Sequence, residues 1–488
     1  MNRPLRRVAA ACAVLFGLLL LQANWVQVVK AHSYRDDTRN RRVLLRTYDR
    51  QRGSIVIGTG AARQAVATSV ATRDPLKYLR TYPGGAVYAP VTGFDSLVYG
   101  RTGIERQQDR VLSGEDDRLF VRRLSDYVTG RTPAGGSIVL TLNRTAQQAA
   151  YDGLAGKVGA VVALDPRTGA VLALASSPSY DPTGLSTHDP SRIRSSYQSL
   201  TAAPGDPLVD RAVERTYPPG STFKIITTAA ALSSGRYTPQ SRVPSPNVLD
   251  LPQTTATLKN FGGETCGDGR TDTLTDALRI SCNTAYGALG LALGPDAVRR
   301  QAEAFGFGRT GLSLPQPVAD SVYPDAPTPP QVAQSAIGQF DVRVTPLQMA
   351  MVAAGVANGG EVMQPYLVQE VQAPDLSQLD LASPRVRSRA VSTSVAGQLT
   401  AMMEQVVASG TGTAAQIPGV RVAGKTGTAQ HGEGAAPHAW FIGFAPAVNP
   451  VVAVAVLVED GGNVGSEATG GRVAAPIARE VMRAILRR

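Results

Sequence analysis

Two apolar runs, residues 159–164 and 169–175, are joined by Asp165-Pro166-Arg167-Thr168-Gly169, a turn sequence that predicts a hairpin. Neither run alternates, so side chains on both faces of each strand are apolar. A strand without a polar face has to be covered on both sides, and these two therefore predict central strands of a sheet sandwiched between helices. Apolar runs at 420–423, 439–444 and 451–458 supply further strands. Helical patterns at 274–293, 295–305 and 345–357 supply the cover, with an amphipathic stretch at 473–486 that aligns Ile477, Val481 and Ile485. The expected fold class is α+β, an antiparallel sheet covered by helices.

Upstream the texture changes. From about residue 46 to 157 the chain is polar, with short β-like runs at 54–57 and 137–142 and turn residues such as Pro83-Gly84-Gly85 between them. This predicts a β-rich domain over 30–157 ahead of a second domain over 158–488, and 488 residues leave room for both. Arg3, Arg6 and Arg7 precede an uncharged, mostly apolar stretch at 8–29. A membrane span needs about 20 such residues, and Trp25 suits the membrane–water interface. A signal peptide has a similar core, but no small-x-small cleavage site stands near residues 22–26, so an uncleaved anchor is expected. Residues 1–7 are then cytoplasmic. The rest of the chain is expected on the extracytoplasmic side of the cell membrane.

The net charge of +11 is carried by arginine, which makes up 43 of the 49 basic residues. No aromatic residues interleave with the arginines of 39–52 as a base-stacking platform requires, so no nucleic acid is expected as a partner. The scarcity of lysine makes each one informative. Three cysteines and four histidines exclude a disulfide scaffold or zinc-finger array, and neither a metal nor a cofactor is expected. His431 and His438 read as surface residues of a loop.

Three short motifs carry chemistry. Pro218-Pro219-Gly220-Ser221 opens a helical pattern, with serine at a capping position. Ser221 and Lys224, three residues apart, then share one face of the first turn, where a neutral lysine can take the serine proton without a histidine. Ser281-Cys282-Asn283 follows about sixty residues later, inside or beside a helix. Lys425-Thr426-Gly427-Thr428 ends an apolar strand, where glycine lets a ligand backbone approach and the other three form a cationic, hydroxyl-rich rim suited to a carboxylate. Each motif alone is weak, but the three in this order point to serine-based catalysis.

Ser221-x-x-Lys224, Ser281-x-Asn283 and Lys425-Thr426-Gly427 resemble the active-site motifs of penicillin-binding proteins and serine β-lactamases. Arg211-Ala212, the run Tyr217 to Lys224, Ile337-Gly338-Gln339, the run Thr345 to Ala350 and the run Val422 to Gln430 resemble class B penicillin-binding proteins, nearest the short actinobacterial type. Arg52-Gly53-Ser54-Ile55 and Thr102-Gly103-Ile104-Glu105 resemble that family's non-catalytic pedestal. Asp210 stands where asparagine is usual, and Phe340 where a small residue is common. No glutamate can be named as a deacylating base.

The resemblance implies the penicillin-binding transpeptidase (serine β-lactamase-like) fold on a β-rich pedestal, with one transmembrane helix. It implies a D,D-transpeptidase acting on peptidoglycan stem peptides and acylated by β-lactam antibiotics. Ser221 would be the nucleophile, Lys224 its base and Ser281 the proton relay to the leaving amine. Asn283 would hold the substrate amide, and Lys425, Thr426 and Thr428 the terminal carboxylate, beside Gly427. The Ser221 and Thr428 N–H groups would form the oxyanion hole. A membrane glycan polymerase and division or elongation proteins are the implied partners. A D,D-carboxypeptidase, a β-lactam sensor and a scaffold for the polymerase are the alternatives. Cys266 and Cys282 lie sixteen positions apart beyond the apolar run; a disulfide and two separate buried cysteines are the two readings.

Overall fold

The computed structural model describes residues 2–30, 48–58, 60–119, 134–432 and 434–487; residues 39–47 of the arginine-rich stretch lie outside these. At the centre is an antiparallel sheet of β1 (Gly159–Leu164), β2 (Val171–Ser177), β3 (Ala423–Ala429), β4 (His438–Ala445) and β5 (Val452–Val458), in the order β3-β4-β5-β1-β2. β1 and β2 form the expected hairpin, and every residue of β1, β4 and β5 is buried. Side chains alternate between two cores. Val162, Trp440, Ile442 and Ala455 face one, while Val161, Phe441, Val454 and Val456 face the other. At roughly 1.5–3 kcal/mol for each large side chain buried, this double covering holds the sheet rigid.

The second core is closed by α1 (Arg144–Gly153) and by the terminal helix Ala475–Leu486, which buries Ile477, Val481 and Ile485. The first is closed by α2 (Lys224–Ser233), α3 (Asn283–Leu293), α4 (Pro346–Ala357) and α5 (Thr393–Ser409). α4 is apolar apart from Gln348 and buries eleven of its twelve residues. Its Thr345 cap accepts from the Gln348 N–H.

The expected helix at 274–293 is broken. It runs as Leu274–Arg279 and then α3, and Ser281 between them takes a φ of 66°. Three ties hold the break open. Cys282 is bonded to Cys266 with Cα atoms 6.1 Å apart, and Asn260 Oδ1 accepts from the N–H groups of Asn283 (2.8 Å) and Thr284 (3.1 Å).

A division of the chain at residue 157 is crossed in both directions. Among the described residues the N-terminal sheet has six strands, and two of them, Val368–Gln372 and Gln378–Leu381, come from the C-terminal half. Val368–Gln372 pairs antiparallel with Ser137–Leu140, which lies parallel to Ile55–Ile57. In return α1, although upstream of residue 157, packs on the terminal helix because Ala146, Ala150 and Leu154 form an apolar stripe. Within the N-terminal part, the segments at 52–55 and 102–105 meet in a buried ion cluster. Glu105 accepts from Arg52 Nε and from Arg80 Nε, both at 2.6 Å. Burying a carboxylate so completely is tolerable only with both oxygens paired. Ahead of all this, one helix among the described residues (Arg3–Val29, 27 residues) is long and apolar enough to cross a membrane.

Candidate active site

The site lies on the first-core side of β3, the edge strand of the central sheet. Lys425, Thr426, Gly427 and Thr428 sit inside β3, not at its end, because β4 pairs with the strand as far as Ala429↔His438. Gly427 sits where the nucleophile turn crosses the strand. A Cβ there would lie 2.9 Å from Pro219 O and 2.9 Å from Thr222 Cγ2, too close for any other residue. The turn is anchored from the other side by Trp440 Nε1, which donates to Pro218 O at 3.0 Å.

Ser221 lies in a single 3-10 turn, Gly220–Phe223, that runs into α2. Its hydroxyl does not cap the helix, contrary to the capping expected from its position; among the described residues it makes no side-chain hydrogen bond. Gly220 takes a φ of 51°, and a Cβ on it would lie 2.8 Å from Thr428 O, so the turn abuts β3 at Thr428. Gly338, at a φ of 75°, accepts from Gly220 N–H at 2.9 Å. With its amide oriented by its partners, Gln339 donates to Gln430 O (3.1 Å) and accepts from Gln430 N–H (3.3 Å). Phe340 follows with a φ of 59°, a left-handed position that favours small residues.

The second motif meets the other two at Ser281. Lys224 Nζ donates to Ser281 O (2.6 Å) and Asn283 Oδ1 (2.8 Å), and lies 3.4 Å from Ser281 Oγ. Lys425 Nζ donates to the same Oγ at 2.8 Å and to Thr426 O at 3.0 Å. Both lysines are fully buried. Lys425 is therefore not the exposed rim expected of it: it stands behind Ser281, and the Thr426 hydroxyl is shared with that of Thr411. Desolvation, and then the neighbouring Lys425, pushes the Lys224 amine well below the ordinary lysine range. Desolvation brings Lys425 down to about 7.

Asn260 escaped the sequence reading. Besides capping α3 it donates from Nδ2 to Glu264 O at 2.9 Å, and so ties the loop that carries Cys266 to the Ser281 turn. Nothing local marks its role at α3, since Asn283 and Thr284, which it caps, lie more than twenty residues downstream. Nor are both histidines surface residues. His438 is buried, its ring stacks on His431 at 3.8 Å between centroids, and burial holds its imidazole down to about 4.

A serine one turn ahead of a desolvated lysine, with a second serine between two lysines and an edge strand alongside, defines an active-site-serine acyltransferase of the penicillin-binding type. Comparison agrees. Residues 159–483 match the family model of the penicillin-binding protein transpeptidase domain, and residues 52–138 that of the penicillin-binding protein A dimerisation domain. The chain belongs to the penicillin-binding protein transpeptidase family. Over its full length it is 49% identical to the peptidoglycan D,D-transpeptidase PbpA of Mycolicibacterium smegmatis, covering 99% of that protein, and 48% identical to PbpA of Mycobacterium tuberculosis, again covering 99%. It superposes on penicillin-binding protein A of M. tuberculosis in its ceftriaxone acyl-enzyme complex with a TM-score of 0.87 and 47% identity, over 91% of this chain and 100% of the other. The penicillin G acyl-enzyme complex gives 0.85 and 47%, over 90% and 100%.

Proposed function

We infer that the chain is a peptidoglycan D,D-transpeptidase and that Ser221 is its nucleophile. The observation that carries the assignment of roles is the placement of the Ser281 hydroxyl between the Nζ atoms of Lys425 and Lys224, at 2.8 and 3.4 Å. A neutral Lys224 that donates two hydrogens, to Ser281 O and Asn283 Oδ1, keeps its lone pair for a hydroxyl proton. Ser221 Oγ attacks the carbonyl of the D-Ala-D-Ala bond, an O–C bond forms, and Lys224 takes the proton. As the C–N bond breaks, the proton passes by way of Ser281 to the leaving D-alanine amine. Lys425 orients and polarises Ser281. Backbone N–H groups of Ser221 and Thr428 hold the oxyanion, where each such donor is worth about 3–4 kcal/mol. Thr426 and Thr428, on either side of Gly427, bind the terminal carboxylate, and Asn283 the substrate amide.

An amine of a second stem peptide then displaces Ser221 and completes the cross-link. A β-lactam acylates the same serine, but its opened ring stays attached. The apolar helix anchors the chain in the cell membrane, with the N-terminal sheet, strands 368–381 included, as pedestal and the central sheet with its helices, α1 included, as catalytic domain on the extracytoplasmic side, where peptidoglycan lies. A cross-linker works on strands that a polymerase extends, so a membrane glycan polymerase and the division or elongation proteins are its partners.

Intact-mass analysis after exposure to penicillin G tests this. A single penicilloyl adduct is expected on the peptide carrying Ser221, and none in Ser221→Ala, whose thermal unfolding should be unchanged. An adduct on another peptide, or undiminished labelling of Ser221→Ala, overturns the assignment.

A further inference from the structure

Past the end of β3, outside the acyl-transfer machinery, three donors typical of metal sites converge. His431 lies two residues beyond the strand, His438 opens β4, and Asp460 follows β5 at a φ of 50°. His431 Nε2 is 2.9 Å from Asp460 Oδ1, and His438 Nδ1 is 3.6 Å from the same oxygen. One donor atom from each of the three lies within 4.8 Å of the other two. The remaining contacts are few. His431 Nε2 lies 2.9 Å from Ala436 O, Asp460 N–H donates to His438 Nδ1 at 3.2 Å, and Tyr217 meets the His438 ring edge-on at 5.6 Å.

A histidine–aspartate pair ties the β3–β4 loop to the segment after β5 through His431 and Asp460. The second, buried imidazole turns one nitrogen both to the Asp460 N–H, at 3.2 Å, and to the carboxylate oxygen that His431 engages, at 3.6 Å, so all three donors face one point. Two imidazoles and one carboxylate form the donor set of borderline divalent ions, and three protein ligands leave a coordination position for water. Metal–ligand bonds of about 2.0–2.2 Å place tetrahedral donors roughly 3.3–3.6 Å apart. The two donor separations from Asp460 Oδ1 lie close to that range.

We propose that His431 Nε2, His438 Nδ1 and Asp460 Oδ1 bind one divalent transition-metal ion, zinc foremost, with water completing the coordination. An ion lies in the plane of each imidazole it binds, so the stack opens on binding. His431 turns, since it sits beyond the strand end with a side chain that is 26% exposed, while His438 stays in the core and exchanges the Asp460 N–H for the ion. The ion takes no part in acyl transfer. It fastens the end of β3 to the segment after β5, close to Gln430, which holds Gln339, and to Tyr217, whose hydroxyl donates to Glu459 at 2.7 Å.

The test uses the untagged full-length chain in detergent, stripped by a chelator that is then removed. Co2+ is titrated with visible absorption as readout, and Zn2+ in competition with a chromophoric chelator. Uptake of one equivalent is expected, with d–d bands of nitrogen and oxygen coordination. His431→Ala should weaken binding by at least about tenfold. Asp460→Asn, which keeps a residue suited to the left-handed backbone, should do the same. No stoichiometric uptake, or equal affinity in parent and His431→Ala, overturns the site. Because the readout is absorbance, that failure would leave acylation of Ser221 untouched.

Discussion

Lys425 donates to Ser281 Oγ at 2.8 Å, so the lysine of the third motif acts on the serine of the second. This explains why it is buried and why its charge is felt by Lys224, whose amine it helps to lower after desolvation has done most of that work. Below pH about 7 Lys425 holds its proton. In that range it opposes a second positive charge on Lys224.

Lys425→Met keeps the bulk and removes that charge. The Lys224 pKa should rise, and since the neutral amine is the base, the acidic limb of the acylation profile should move to higher pH. The rate at the optimum should also fall, by about 100-fold or more, because Ser281 loses its donor. Stopped-flow acylation by a fluorescent penicillin across pH measures both. A lower rate with an unmoved acidic limb would mean that the two lysines do not communicate.

Asn260→Ala removes the acceptor that caps α3. Losing a helix cap costs about 0.5–2 kcal/mol, visible in urea unfolding. Acylation should slow as well, because Asn283, the first residue of α3, accepts from Lys224. Asn260→Asp keeps an acceptor and should recover much of the lost stability. Equal unfolding midpoints for the parent and Asn260→Ala would remove the cap from the account.

The disulfide fastens the same turn from its other side. Unfolded without reductant, the chain should show one reactive thiol, Cys12. Replacing Cys266 and Cys282 together by serine should cost about 3 kcal/mol, the chain-entropy value for a loop of about 15 residues. Three reactive thiols in the unreduced chain would show that the bond does not form.

What could be read from the sequence was local. The β1–β2 hairpin announces itself by two apolar runs and a turn, and Ser221, Lys224 and Lys425 by spacing and by the rarity of lysine. What escaped depends on partners far along the chain. The break at Ser281 is held from Asn260 and Cys266, and the strands at 368–381 join a sheet begun three hundred residues earlier. The burial of Lys425 follows from its position inside β3, which only the pairing with β4 decides. Helix Pro190–Ala202 did leave a local mark, Asp189 capping ahead of a first-turn proline, but its polar, serine-rich composition hid the helical period.

Asp210, where the family resemblance implies asparagine, carries a clear physical cost. It is 2% exposed; Oδ1 accepts from the Ala212 N–H at 3.0 Å, while Oδ2 has no partner among the described residues. Burial raises its pKa well above the carboxylate range, with Glu214 adding to the effect. The folded state then binds a proton that the unfolded chain gives up. Stability contributed by that proton is present at low pH and drains away as pH rises above the unfolded carboxylate value of about 4. Asparagine keeps the acceptor, replaces the unpartnered oxygen with an amide and does not titrate. Asp210→Asn should therefore be more stable than the parent, by about 1–3 kcal/mol near neutral pH, and the gap should narrow toward pH 4. Urea unfolding at a series of pH values measures it; a gap that does not change with pH would mean that Asp210 titrates alike in the folded and unfolded states.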